Sequence, residues 1–504
     1  MGMQTNIVKR LKRSNRLFIS LLTWLAVLSI LTGIGWPNLI LTRAADNRSS
    51  TVSTEGLLIT HLPVVLNKFP YRTSFGVESF ATFDSSQFLS HATNLQLGYV
   101  RLNDRISWRE LQPNETDPID WDLLVQFEAE LRALRSANIS PIIVVDDYPV
   151  WATDNTVRLD GQTTSCGPLL TSRYDDFARF MRALVLRYSV PEFNVSIWEL
   201  GNEPDVDPNQ VPPNNHYGCW GDWDELYFNG DAYGEMLKVV TPVIRAADPT
   251  AQVWIGGLLL NSPTTLIPNH IGKPQLFLQG ILEAGAAPYF DVVPYHAYIY
   301  WRNEIADADI FSLTDWDVWG GMLVGKANFL RTIMRDYGVS KPLFVTETSV
   351  ICTWCDDTRE TAIFDMQASM VARFFPRALA ARINGVAWYT LDGPGWAYGG
   401  LLDDGQVIKP VYNAYNTFMD LTAHADFFGA VALGSGIEAY AYLNGSQRID
   451  IAFTITDTTA TLTIPQSQFI AAYDRFGQPI YPPLTGEDYA VTVQFEPIYL
   501  VRVR

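Results

Sequence analysis

Between residues 74 and 389 the chain repeats one pattern eight times: a short apolar run, then a longer stretch with helical periodicity. The runs are Ser74–Val77, Gly98–Leu102, Pro141–Val145, Val195–Leu200, Gln252–Gly257, Phe290–Pro294, Pro342–Val345 and Gly385–Tyr389. Between them, Tyr174 to Tyr188 brings Phe177, Phe180, Met181, Leu184 and Val185 onto one helix face, and Asp120 to Ala137 reads the same way. A run short enough for a buried strand followed by an amphipathic helix is a βα unit, and eight in succession predict an α/β chain folded as a (β/α)8 TIM barrel. After a helix from Pro410 to Leu421 the pattern changes to alternating strands, Ala439-Tyr440-Ala441-Tyr442 and Ile449-Asp450-Ile451-Ala452-Phe453, with an Asn444-Gly445 hairpin signal between them. The expected organisation is a barrel over 71–426 and a β-sandwich domain over 427–504. Tyr440, Tyr442, Phe453 and Tyr499 fall at inward positions, so this second domain is expected to cover barrel surface.

The ends and the charge narrow the class. The first 44 residues carry six bases and no acid, and Leu17 to Gly35 is an almost unbroken apolar run behind the basic cluster. That is the pattern of an export signal, at a length that also suits a single membrane anchor, so residues 1–45 are read as signal peptide or N-terminal anchor and 46–70 as a spacer. The whole chain has 36 Lys+Arg against 54 Asp+Glu, a net charge of −18, which repels a phosphate backbone and excludes nucleic acid as the main partner. No phosphate loop, dinucleotide glycine pattern or metal-ligand cluster is present in the sequence, and no cofactor is implied.

In a barrel of this kind functional groups collect at the C-terminal ends of the strands. The fourth run ends Ile197-Trp198-Glu199-Leu200-Gly201-Asn202-Glu203-Pro204 and the seventh ends Phe344-Val345-Thr346-Glu347-Thr348, so each delivers a glutamate to the same mouth. One such glutamate is ordinarily a salt-bridge or loop residue. Two facing each other are what retaining glycoside hydrolysis uses, one carboxyl protonating the departing oxygen and the other attacking the anomeric carbon, at a separation of about 5–5.5 Å.

With these motifs at these strands the chain resembles glycoside hydrolase clan A, the retaining (β/α)8 enzymes. The resemblance implies Glu203, in Asn202-Glu203-Pro204, as acid/base and Glu347 as nucleophile. It extends to Arg101 in the second run, to His296 and Tyr298 in Pro294-Tyr295-His296-Ala297-Tyr298, to Trp388 in the eighth, and to the closing Lys409-Pro410-Val411-Tyr412-Asn413-Ala414-Tyr415. Within the clan the pattern is similar to the β-xylosidase/α-iduronidase and β-glucuronidase/heparanase groups. It implies an oligo- or polysaccharide substrate of plant or microbial origin and leaves the sugar open. A transglycosylase would use the same residues, and a non-catalytic carbohydrate-binding protein would keep the scaffold without needing both glutamates.

The supporting residues carry two readings each. Asn202 would bond the sugar 2-hydroxyl or simply make a turn. Tyr298 would donate to the nucleophile or pack at the rim. His296 would contact sugar hydroxyls or the acid/base, or be a satisfied structural histidine. Arg101 would hold Glu347 ionised or pair with Glu199 inside the barrel. Trp388 would floor the subsite where the bond breaks, or fill core. Glu78, Asp146 and Asp147 are candidate hydroxyl acceptors or capping groups. Loop aromatics, among them Tyr217, Trp220, Trp223, Trp301, Trp354, Trp396 and Tyr398, divide between sugar platforms and packing.

Four cysteines in an exported chain point to disulfides. Cys166 and Cys219 fall in the loops after the third and fourth runs, and Cys352 and Cys355 form a close pair. A Cys166–Cys219 bond is expected to tie those two loops together above Glu203. Peptide mapping of the non-reduced protein should recover the linked pair, and four alkylatable thiols would overturn the expectation.

Overall fold

The computed structural model describes residues 73–504 except 85, 155–166, 208–210, 212–216, 219, 261–272, 313 and 356–359. The expected export segment, the spacer and the Cys166–Cys219 pair therefore lie outside the described residues. Cys352 and Cys355 are bonded to each other. Among the described residues no helix is long and apolar enough to cross a membrane.

All eight apolar runs are strands of one parallel sheet: β1 (Phe75–Glu78), β2 (Tyr99–Ser107), β3 (Ser140–Asp146), β4 (Ile197–Asn202), β5 (Gln252–Gly257), β6 (Val293–His296), β7 (Leu343–Thr348) and β8 (Val386–Trp388). Their order is β5-β4-β3-β2-β1-β8-β7-β6, and parallel bridges from Trp254 to Val292 and from Leu258 to Tyr295 bring the two edges together, closing the barrel. Each strand is followed by a helix: α1 (Ser86–Asn94), α2 (Val125–Ser136), α3 (Tyr174–Tyr188), α4 (Gly230–Ala247), α5 (Phe277–Glu283), α6 (Gly321–Asp336), α7 (Glu360–Ala380) and α8 (Pro410–Thr422).

Strand side chains alternate between faces, and the two faces have different jobs here. Tyr99, Ile142, Ile197, Trp254, Val292, Phe344 and Ala387 point inward and pack together as the barrel's own core. Their neighbours Val100, Ile143, Trp198, Val253, Val293, Val345 and Trp388 point outward into the layer shared with the helices. Two residues beyond the inner apolar layer, toward the C-terminal mouth, the same inward face carries Arg101 and Glu199. The floor of the mouth is thus polar because the alternation continues, not because the strands end.

The C-terminal region forms a six-stranded and a three-stranded sheet, the larger being antiparallel in the order Asp426–Ala430, Ile437–Asn444, Gln447–Thr454, Ile498–Val503, Phe469–Tyr473, Pro479–Ile480. Its two faces are both covered. Tyr440, Tyr442, Phe453 and Tyr499 are buried in the core cluster that includes the barrel helices, while Ala439, Ala452, Ile498 and Leu500 pack with Leu462, Val491 and Val493 of the smaller sheet.

A buried charge cluster joins this domain to the loop after β6. Asp307 in that loop accepts from Arg373 and Arg377 of α7, and Arg377 also reaches Asp309 and Glu438, a residue of the large sheet. The Arg373 guanidinium lies 4.3 Å and 4.1 Å from the ring centres of Phe453 and Phe495 and donates to the carbonyls of Thr454 and Phe495. Burial raises the Asp307 pKa, but Arg377 and Arg373 outweigh it and hold the carboxyl well below the usual carboxylate range. Asp307 N–H donates to the Ile455 carbonyl at 3.0 Å, fixing the loop to the sheet. Removing one partner of a fully buried pair strands the others, which costs about 3–5 kcal/mol. Arg377→Ala is therefore expected to lower the denaturant midpoint by a corresponding amount, and an unchanged midpoint would show that the cluster does not hold the two parts together.

Candidate active site

The site is organised on one side chain. Arg101 sits on the inward face of β2 with no exposed surface, and each of its five N–H groups has an acceptor. Nε and Nη2 donate to the two oxygens of Glu199, both at 2.9 Å. Nη2 donates also to Asn202 Oδ1 at 2.8 Å, and Nη1 donates to both Glu78 Oε2 and Glu347 Oε1 at 2.6 Å. Arg101 therefore contacts both of its expected partners, since one fork holds Glu199 and the opposite nitrogen reaches Glu347. Asn202 is turned inward by the same guanidinium.

Glu347 does not reach the mouth by simple alternation. Phe344 faces in and Val345 faces out, so the regular pleat would send Thr346 in and Glu347 out. The pairing shifts at this point: Val345 and Glu347 stand opposite the consecutive residues Tyr295 and His296 on β6, and Val345 and Thr348 stand opposite Val386 and Trp388 on β8. The extra residue is a β-bulge, and it swings Glu347 into the cavity. There its second oxygen accepts from the Tyr298 hydroxyl.

Glu203 arrives by a different local device. The chain leaves β4 through Gly201 at φ 102° and Glu203 at φ 46°. Glycine takes such an angle freely, whereas glutamate in the left-handed region costs on the order of 1 kcal/mol, a local strain of the kind found where a side chain must be aimed. Glu203 N–H donates to the Gly257 carbonyl at 3.0 Å, which pins the turn against β5. Burial pushes its carboxyl up to about 7, against the opposing charges of Arg101 and Lys326.

His296 lies between the two glutamates. Its Nδ1 is 2.7 Å from Glu203 Oε1 and 3.4 Å from Glu347 Oε2, and burial pulls its pKa down to about 3, so the ring is neutral. Nε2 has no partner, which fits the tautomer in which Nδ1–H donates to Glu203 and leaves the other Glu203 oxygen to carry its proton into the cavity. Gly257 is required behind this ring, because a side chain there would run into His296. Beneath lies Lys326 of α6, which donates to the carbonyls of Leu259 and His296 at 2.6 Å and 2.8 Å. Asp205 accepts from the N–H groups of Leu259 and Leu260, so the short segment after β5 is held from both sides.

These groups open onto a cavity of about 480 Å³ lined by Glu78, Asn103, Asp104, Asn202, Glu203, Glu347, Tyr217, Tyr298 and Tyr300, with Phe80, Tyr389 and Trp396 among its aromatic walls. Glu203, Glu347, Asn202 and Tyr298 thus meet where the sequence places them, with His296 and Arg101 behind. Trp388 does not. It is 1% exposed, outward-facing, and donates its indole N–H to the Gly399 carbonyl at 2.9 Å. Ala387 faces into the barrel, so the next inward residue is Tyr389, and that ring lines the cavity in place of the expected tryptophan. Period-two alternation from Ala387 would have identified it. Trp396 of the following loop is 47% exposed and packs edge-on against Tyr298 at 5.4 Å. Asp147 pairs with Arg109 and accepts from Ser107 outside the lining, and Trp220, Trp223 and Trp301 are buried packing residues.

Glu203, His296 and Glu347 each offer a ligand atom within 4.8 Å of the others, a spacing that also suits a cation. Both Glu347 oxygens, however, are already occupied by the donors Arg101 and Tyr298. That arrangement serves a positioned carboxylate better than a metal ligand.

No protein-family model matches the chain, and no curated protein matches it. Among solved structures the chain is similar to a family 39 glycoside hydrolase from the gut symbiont Bacteroides cellulosilyticus WH2, at 18% identity and TM-score 0.61 over 87% of this chain and 82% of that one. It is similar also to a family 39 β-xylosidase from Caulobacter crescentus, at 15% identity and TM-score 0.55 over 86% and 96%. A family 30 endoxylanase from Clostridium papyrosolvens C71 matches at 13% identity and TM-score 0.52 over 86% and 96%. At these identities what is shared is the fold, the barrel with its appended β-domain.

Proposed function

We propose that the protein is a retaining O-glycoside hydrolase, with Glu203 as acid/base and Glu347 as nucleophile. The observation that carries this reading is the pair itself. Two carboxyl groups from strands on opposite sides of the barrel converge to within 4.8 Å, one buried and raised to about 7, the other gripped by Arg101 and Tyr298. A close pair of carboxyl groups, one protonated and one held by donors, is what double displacement uses. The similar folds of family 39 and family 30 glycoside hydrolases support the same reading.

In the first half-reaction Glu203 gives its proton to the departing oxygen while a Glu347 oxygen bonds to the anomeric carbon. In the second, Glu203 removes a proton from water, and the water oxygen displaces Glu347 with the anomeric configuration restored. Asn202, oriented by Arg101, is placed to bond a sugar hydroxyl beside the reacting carbon. Phe80, Tyr389 and Trp396 offer aromatic faces to the C–H faces of sugar rings. The substrate class we assign is an oligo- or polysaccharide of plant or microbial origin. The basic cluster and apolar run at the N-terminus support action outside the cytoplasm, released or anchored.

A panel of aryl glycosides and polysaccharides tests the activity, and the two glutamates should then fail differently. Glu347→Gly should abolish turnover, with azide restoring it as a glycosyl azide of inverted configuration. Glu203→Ala should lose about 10²–10⁴-fold on natural glycosides but still form the glycosyl-enzyme rapidly from a dinitrophenyl glycoside, azide now giving a retained product. An inverted sugar from the wild-type enzyme would overturn the assignment. Because Glu203 must start protonated and its pKa is about 7, kcat/KM should fall as pH rises through that value. With a dinitrophenyl glycoside, whose departure needs no proton, this alkaline limb should disappear in Glu203→Ala. Its persistence there would assign the limb to another group.

A further inference from the structure

One group at the reaction centre is left unused by double displacement. Glu78, the last residue of β1, has no exposed surface as a residue yet contributes to the cavity wall. Its Oε2 and Glu347 Oε1 both lie 2.6 Å from the same nitrogen, Arg101 Nη1, and Asn103 Nδ2 reaches its other oxygen at 3.3 Å. Around one guanidinium there are thus three carboxyl groups, Glu78, Glu199 and Glu347, in a space closed to bulk solvent on all sides but the cavity. Three negative charges against one positive charge at this spacing are not sustainable in a low-dielectric interior, so the cluster must hold a proton.

The surroundings say where it goes. Burial raises the Glu199 carboxyl too, but Glu199 takes two N–H bonds from Arg101 and a third from the Gly257 backbone at 2.9 Å, all of which favour its charged form. Glu347 accepts from Arg101 and from Tyr298. Glu78 has one strong donor, Arg101 Nη1, and shares it. The remaining groups that face Glu78 are acids or neutral: Tyr298 after β6, Tyr389 after β8 and Glu203 after β4 across the cavity. We propose that Glu78 is a positioning residue of the reaction centre, carrying the proton of the three-carboxyl cluster and donating its O–H to Glu347, so that the negative charge stays on the attacking group. Burial, and after it the neighbouring charge of Glu347, hold the Glu78 carboxyl well above the usual carboxylate range, against the pull of Arg101. The role toward the nucleophile rests on the glycosidase reading, whereas the protonation of Glu78 does not.

The protonation is read without substrate. A carboxyl whose native pKa exceeds its unfolded value contributes stability that is fully present below the unfolded value and is lost as pH rises toward the native one. Thermal midpoints of the wild-type chain and of Glu78→Gln are to be compared from pH 5 to pH 8. The amide cannot titrate, so the variant should gain on the wild type by about 2 °C or more as pH rises across this range. Glu78→Asp, which keeps a carboxyl, should retain the wild-type slope, and Glu78→Ala should lose it like the amide. A constant difference between Glu78→Gln and wild type, or one that moves the other way, would mean that Glu78 is ionised in the native protein and would overturn the proposal.

The second readout uses whichever aryl glycoside the wild-type enzyme turns over. Glu78→Ala removes the group that positions Glu347 and should lower kcat by about 10²-fold with little change in KM. Glu78→Gln supplies an N–H in its place, so its loss should be at least tenfold smaller than that of alanine. If glutamine lost more than alanine, Glu78 would be acting as a counter-ion to Arg101 and the proposal would fail. If the wild-type chain turned over no glycoside at all, the glycosidase reading would fail while the thermal comparison still decided the protonation of Glu78.

Discussion

The Arg101 guanidinium is the interaction on which the rest of the site depends. A buried cation needs all of its N–H groups paired and its charge balanced, and here both needs are met by side chains from four strands: Glu78 on β1, Glu199 and Asn202 on β4, Glu347 on β7, with Arg101 itself on β2. Each acceptor is located by the fork it binds, and the fork geometry of arginine is rigid. A lysine in its place would supply three donors from a flexible stem and leave some of these acceptors unpaired. The position of the Glu347 carboxyl therefore follows from a structural ion cluster as much as from the strand that carries it, whereas Glu203 is set apart from that cluster by the turn after β4.

Electrostatics then separate the groups that surround this cluster. Burial raises Glu203 to about 7 and lowers His296 to about 3, so a protonated carboxyl and a neutral imidazole stand side by side at 2.7 Å. Burial thus favours the neutral form of both. The same burial brings Lys326 down to about 8, so that the ammonium, while held by the two backbone carbonyls beneath His296, is poorly screened from Glu203 and Asp205. The shifts of these groups thus share one cause, burial under a common mouth that disfavours the charged form of acid and base alike.

The second domain bears on the site through a loop. From His296 at the end of β6 the chain toward α6 carries Tyr298 and Tyr300 at the cavity end and Asp307 and Asp309 at the other, and the latter two are locked to α7 and the large sheet by Arg373, Arg377 and Glu438. A short parallel pairing of Ile299–Tyr300 with Val350–Ile351 ties this loop to the one after β7. The rim next to Glu347 is therefore braced on two sides.

Much of this was legible in the sequence because it depends on local periodicity. Eight short apolar runs separated by amphipathic helices can bury their faces together only as a closed parallel barrel, and Glu203 and Glu347 were recognisable because each follows such a run. The switch to alternating strands after Pro410–Leu421 likewise announced the β-domain. What the sequence could not decide is which way a residue points once regular alternation is broken or its phase is not known. The bulge in β7 that turns Glu347 inward is a mismatch between three strands, and no one of them records it. An indole suits the C–H face of a sugar, which is why Trp388 is expected at the subsite floor, yet the phase of β8, fixed by Ala387 packing inside the barrel, gives the cavity to Tyr389. Glu78 acquires its place beside Glu347 only when β1 closes against β2 and β8 and brings it to the Arg101 nitrogen that holds both. Sequence determines which residues reach the rim of the barrel; closure of the barrel determines which of them share a proton, because that requires atoms from distant strands within hydrogen-bonding distance of one another.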